Sequence, residues 1–167
     1  MDAGLLLLRV VVGLLFVGHG TQKLFGWFGG GGIKGSQGYF QSLGYPPAMA
    51  ILAGMAETGG GTLVALGWVT PLAAAAITVE MVNVIGVKWS HGLWEVKDGF
   101  EYPLTVLSVM ALFALGGPGA YSIDWLLGWH LAGLGTGAAA LAAAFLVAAG
   151  SRATRRPAAP AGAGQPH

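Results

Sequence analysis

Apolar residues run almost unbroken from Leu5 to Leu24, Ala48 to Val69, Pro71 to Val87, Tyr102 to Leu115 and Trp129 to Gly150, with Gly, Pro and the few charges between them. Such runs predict five helical segments, since an α-helix needs about 20 residues to cross a hydrocarbon core. The fourth run, about 14 residues, is short for a span and must recruit Gly99–Glu101 or Gly116–Ala120, or be partly buried in protein. The expectation is an all-α integral membrane bundle of four core transmembrane helices plus a fifth, C-terminal helix. Trp27, Trp68, Trp89, Trp94, Trp125 and Trp129 lie at or beyond run ends, where an amphipathic indole prefers the membrane interface. Pro47, Pro71 and Pro103 stand near run beginnings, where a missing N–H is harmless because the first helical turn has no internal acceptor for it. Gly29 to Gly32, with Gly35 and Gly38, read as a flexible connection. Ala50, Gly54 and Thr58, and likewise Gly133 and Gly137, repeat at a four-residue spacing that lets helices approach closely in lipid. That spacing favours packing within one monomer over the seam of a homo-oligomer.

Composition strengthens the membrane reading. Hydrophobic residues make up 54% of the 167-residue chain and charged residues 9%, with a mean hydropathy of +0.67; soluble domains carry about 25% charged residues. A net charge of +1 gives no basic field for nucleic acid. The absence of cysteine excludes disulfides, thiolate metal sites, thiol relays and Cys nucleophiles within the chain. No basic residue precedes Leu5 and Arg9 falls inside the first run, so that run reads as a retained helix and not a removable signal peptide. Residues 1–150 form one membrane domain in this reading. Residues 151–167, rich in Arg, Ala, Pro and Gly, read as a disordered cytoplasmic tail. With five spans and an external N-terminus, Lys23, Lys34, Lys88, Lys97, Arg152, Arg155 and Arg156 all fall on the cytoplasmic side, the positive-inside pattern of a multi-pass membrane protein.

Ionisable residues inside the apolar runs are the candidates for function, because each costs roughly 2.5–3.5 kcal/mol at a helix centre on insertion scales. Arg9, His19 and Lys23 share the first run, where 100° per residue places Lys23 about 40° and His19 about 80° from Arg9, on one inward stripe. Glu57 interrupts the second run; Glu80 and Asn83 lie three apart on the third. The simplest arrangement pairs Arg9 or Lys23 with Glu57 or Glu80, either as neutralised structural charge or as a binding site. Glu101 opens the fourth helix, where the helix dipole alone would account for it, or joins His19 and Glu57 in a polar pocket at one membrane face. His19, His91, Glu57, Glu80 and Glu101 are legitimate metal ligands, but no HExxH or ExxH pair groups them, so no metal site is assigned and haem ligation by His19 and His91 is weaker still. Gly29–Lys34 lacks the order of a phosphate loop and follows a helix instead of a strand. Ser122 and Asp124 read as turn or helix-start residues.

The stretches LLRVVVGLLFVGHGTQKLFGWFGGGGIKG, AGMAETGGGTLVALGWVTPLAA, GFEYPL and GGPGAYSID resemble the DoxX family of small bacterial and archaeal membrane proteins over about residues 5–124, most specifically at Arg9, His19, Gly20, Lys23, Leu24 and Phe25. The resemblance implies a compact bundle, usually of four spans, and a loose link to respiratory chemistry, including a subunit of a thiosulfate:quinone oxidoreductase. The segment from Trp129 onward departs from that pattern. It further implies a membrane subunit or anchor linked to quinone-dependent redox chemistry, with an oxidoreductase subunit as partner; its own enzymatic activity stays open. Without a thiol couple, redox work requires a bound quinone, a cofactor or a partner. A quinone site needs an apolar slot and a few hydrogen-bonding or proton-transfer groups, which Arg9, His19, Lys23, Glu57, Glu80 and Glu101 would supply. The alternative is a non-catalytic module that stabilises partners or binds a lipid-like molecule; a transporter is disfavoured because inverted repeats are not visible.

Overall fold

A computed structural model describes residues 1–156. Seven helices carry them: α1 (Asp2–Phe25), α2 (Gly32–Ser42), α3 (Ala48–Leu66), α4 (Thr70–Lys88), α5 (Glu101–Gly116), α6 (Ile123–Leu126) and α7 (Thr136–Ala153). No strand occurs among the described residues. The helices α1, α3, α7, and α4 with the turn running on to His91, are long and apolar enough to cross a membrane; α5 is the shorter apolar helix. The expected all-α membrane bundle with a C-terminal helix is therefore what forms. Residues 157–167, most of the segment read as a tail, lie outside the described residues; 151–153 continue α7, and the backbone N–H of Arg156 donates to Gly44 O at 2.9 Å.

Two predicted boundaries differ. The glycine-rich stretch read as a flexible connection contains α2, in which Gly35 and Gly38 are helical behind a left-handed Gly32 at φ 61°, and Ser36 Oγ donates to Lys23 O at 3.2 Å. Its helix forms because docking on α1 and α3 outweighs the poor propensity of glycine. The last apolar run begins its helix only at Thr136, since Gly128 and Gly133 take positive φ and keep Trp129–Gly135 irregular.

The prolines mark helix starts as expected: Pro47 precedes α3, and Pro71 and Pro103 lie in the first turns of α4 and α5. On α1, Arg9, Gly13, Phe16 and Gly20 face inward while Leu7, Val11 and Leu14 face outward, a helical period that separates protein contact from lipid contact. The tightest seam joins α1 and α3. A Cβ added at Gly13 would stand 2.5 Å from Gly61 O, and one at Gly20 would stand 2.7 Å from Gly54 O. Small residues here allow backbone approach where packing, and not water expulsion, drives association. Gly54 and Thr58 of the four-residue repeat serve this intramolecular seam; Gly137 packs on Ala114 of α5. Phe16, Val64, Ile77, Met110 and Phe113 fill the core around α4.

Candidate functional site

The chain direction of α1, α3, α4, α5 and α7 places Lys23, Lys34, Lys88, Lys97, Arg152, Arg155 and Arg156 at one end of the bundle. Arg9 is the exception. It is buried near the opposite end, against Gly67 and Ser122, with Nε and Nη1 lacking hydrogen-bond partners among the described residues. The expected pairing of Arg9 with Glu57 or Glu80 does not form. Antiparallel packing puts both glutamates toward the other end of α3 and α4; the carboxylate in electrostatic range of Arg9 is Asp124.

Asp124 has a stronger role than the turn residue its sequence suggests. Its carboxylate accepts hydrogen bonds from Val69 N at 2.8 Å, Thr70 N at 2.9 Å and Thr70 Oγ1 at 2.6 Å. It thereby caps α4 from another part of the chain and holds Val69 in the left-handed region at φ 44°. Ser122 does start α6, accepting from Trp125 N at 3.2 Å.

At the basic end, α3 and α7 flank α4 without packing extensively on each other, which leaves a cavity of about 450 Å³. Its walls are mostly apolar: Met49, Leu52, Ala53 and Ala56 from α3, Ala76, Val79, Val84 and Val87 from α4, and Val147 from α7. Leu52 and Val147 are also exposed on the lipid-facing surface, so the gap opens sideways toward the membrane. Tyr39, Phe40 and Leu43 from α2, with Tyr45, close the end.

Three predicted residues meet there. Lys23 Nζ lies 2.5 Å from Glu57 Oε2, with side chains 25% and 6% exposed. Glu80 faces the same cavity from α4 and has neither a hydrogen bond nor an ion pair among the described residues. A polar cluster missed by sequence reasoning adjoins them: Asn83 Oδ1 accepts from Tyr45 Oη at 3.3 Å and Ser151 Oγ at 3.0 Å, joining the α2–α3 connection, α4 and α7. The only sequence signal was Asn83, an amide inside an apolar run. Burial pushes the Tyr45 hydroxyl above its ordinary range, against the opposing effect of Arg155, whose guanidinium sits 5.2 Å from the ring centre.

The remaining candidates lie elsewhere. His19 is exposed and lines a second, smaller pocket of about 350 Å³ between α1 and α2, which shares Lys23, Tyr39 and Phe40 with the first. Glu101 does not join either pocket; it is exposed at the start of α5 and accepts from Glu95 N at 3.2 Å. His91 lies 3.2 Å from Asp98 Oδ2 in the same exposed loop. No group of three or more His, Asp or Glu side chains comes together as a metal site among the described residues.

The fold and cavity define a small multi-pass helical membrane protein with a polar-ended, lipid-facing pocket. The chain belongs to the DoxX family, whose profile matches residues 4–92. It is 32% identical over 129 residues to the inner membrane protein YqjF of Escherichia coli, covering 75% of this chain and 93% of that one. It is 30% identical over 130 residues to an uncharacterized membrane protein of Mycobacterium tuberculosis, covering 70% of this chain and 77% of the relative. A third relative, named Putative oxidoreductase CatD, from Bacillus subtilis, is 32% identical over 108 residues, covering 65% and 76% respectively. No solved structure matches.

Proposed function

We propose that the cavity between α3, α4 and α7 binds an amphipathic molecule of the quinone class, and that the protein serves as a subunit or membrane anchor for quinone-linked redox chemistry in the bacterial plasma membrane. The observation that carries this reading is Glu80, a carboxylate without a counter-ion of its own, beside the Lys23–Glu57 pair at the polar end of an apolar cavity open to lipid. An isoprenoid or alkyl tail suits the walls of Leu52, Val79, Val84 and Val147; a ring bearing oxygens suits donors and acceptors at Lys23, Tyr45, Glu80 and Asn83. Membrane-embedded carboxylates of this kind are suited to exchanging protons with a ligand. The lack of cysteine makes a bound carrier or a partner subunit the necessary holder of electrons. The name of the Bacillus relative points the same way.

Mass spectrometry of the protein purified into nanodiscs tests the proposal. Quinone should co-purify at a stoichiometric level and be lost in Glu80→Leu, while Glu101→Leu retains it. If phospholipid occupies the cavity instead, the module reading replaces the redox one. An empty cavity that takes up no added short-chain quinone rejects both.

A further inference from the structure

The cavity and the smaller pocket differ in chemistry. Glycines with His19, Gln22 and Ser36 line the smaller pocket, which faces outward at the basic end, whereas hydrocarbon side chains dominate the larger cavity. Lys23, Tyr39 and Phe40 form the wall common to both. The Lys23 side chain crosses that wall: it remains one-quarter exposed, while its partner Glu57 is almost fully buried. We infer that the Lys23–Glu57 ion pair is a partition between a water-filled antechamber and the lipid-open cavity, and that it conducts protons between solvent and Glu80. This inference shares the cavity with the proposal above but is independent of what occupies it.

Two observations support a partition over mere charge neutralisation. First, the antechamber is built against Lys23 itself. Ser36 holds α2 to the Lys23 carbonyl, and Gly30 lies so close to Gln22 that a side chain there would strike its backbone. Second, an ion pair with both partners satisfied needs no third charge nearby, yet Glu80 faces the same space from the neighbouring helix. The other titratable groups on the cavity are Tyr39, Tyr45 and Lys88, and Lys88 is engaged by Glu95 and Asp98. Glu57 is therefore the acceptor available to Glu80. A proton on Glu80 passes, directly or through cavity water, to the Glu57 carboxylate. Neutralised Glu57 releases the Lys23 ammonium toward the antechamber, water enters the space the ammonium leaves and takes the proton from Glu57, and the pair then re-forms. One proton leaves, Lys23 stays an ammonium throughout, and no other bond or electron changes.

The cysteine-free chain permits a direct test with single cysteines in nanodiscs, where lipid covers the gap between α3 and α7. A charged, water-soluble thiosulfonate should modify Ser36→Cys in the antechamber quickly and Leu146→Cys on the lipid face hardly at all. Ala76→Cys, deep in the cavity, should react slowly and several-fold faster when Glu57→Gln breaks the pair, a change that keeps side-chain volume. Equal Ala76→Cys rates with and without the pair overturn the partition. Infrared spectroscopy reads the proton path: the Glu80 carboxyl band, identified by its loss in Glu80→Gln, should shift in D2O more slowly in Lys23→Met, whose apolar side chain stays in the wall where an unpaired ammonium would swing out to water, than in the unsubstituted protein. Equal exchange, or no such band at any pH, overturns the relay even if quinone binds.

Discussion

Lys23 on α1 meets Glu57 on α3 at 2.5 Å because the last turn of one helix lies beside the middle of its antiparallel neighbour, across a seam of glycines. Gly20 and Gly54 bring the two backbones close enough for the Lys23 side chain to reach across. The seam and the ion pair are thus one construction: close packing sets the geometry that lets a buried carboxylate keep its cation.

The pair should be strongly coupled. Glu57→Leu or Lys23→Leu alone leaves an uncompensated charge at membrane depth and should cost about 3 kcal/mol, at the lower end for a buried pair because Lys23 is partly exposed. The double variant should lose less than the sum of the singles. Thermal unfolding in detergent reads the cycle, and strict additivity would refute the coupling.

Crowding the α1–α3 seam should destabilise the bundle. Gly61→Leu drives a side chain toward Gly13 O and Phe16, and overpacking of this kind costs roughly 1–3 kcal/mol. Gly59→Ala on the same helix has open space at its Cβ and should be near neutral. A similar fall in melting temperature for both would show that helix propensity, and not contact, sets the response.

Asp124→Ala should be among the most damaging substitutions. It removes acceptors for two backbone N–H groups and the Thr70 hydroxyl at the start of α4, and takes away the carboxylate in range of buried Arg9. A loss of about 3 kcal/mol is expected from charge-assisted hydrogen bonds left unmade. Exposed Glu101→Ala should stay within about 0.5 kcal/mol. Equal melting temperatures for the two variants would remove the capping role.

The topology predicted by charge is open to reporter fusions. Every Lys and Arg but Arg9 gathers at the end holding the C-terminus of α7, so a fusion after Gly150 should report cytoplasm and one at the N-terminus the external side. Both termini reporting cytoplasm would defeat the five-span arrangement.

The loop after α4 should loosen in acid. Lys88 Nζ, 2.9 Å from Asp98 Oδ1, holds the Asp98 carboxyl below its ordinary value of 3.8. A depressed folded-state value means that the contact contributes fully above that ordinary value and fades as pH falls through the lowered one. Trp89 stacks on Phe100 at 5.3 Å across the same loop, so its indole fluorescence should change in that acid window. Lys88→Met should weaken the pH dependence, leaving the smaller part that His91 contributes 3.2 Å from Asp98 Oδ2, and an unchanged profile would discount the Lys88–Asp98 contact.

The membrane bundle, its five apolar helices, the prolines that start three of them and the one-sided distribution of cations can all be read from the chain. These are legible because hydrophobic run length and helix-start chemistry are local properties. The sequence also singled out Lys23, Glu57 and Glu80, which the structure brings to one cavity. It did not reveal α2, whose glycines hide a helix that depends on docking against α1 and α3. Nor did it reveal which charges meet. The 100° rotation per residue puts Arg9 and Lys23 on one stripe, but they stand 14 residues apart along that stripe, near opposite ends of the bundle. Lys23 therefore finds Glu57 while Arg9 lies near Asp124, a residue 115 positions away in the chain. Glu101 shares the cavity's end of the bundle but stands on α5, which does not line it, whereas Asn83 of α4 and Ser151 of α7 come together with Tyr45 there. Angular position is written in each helix; depth and neighbour are decided only when antiparallel helices choose their seams.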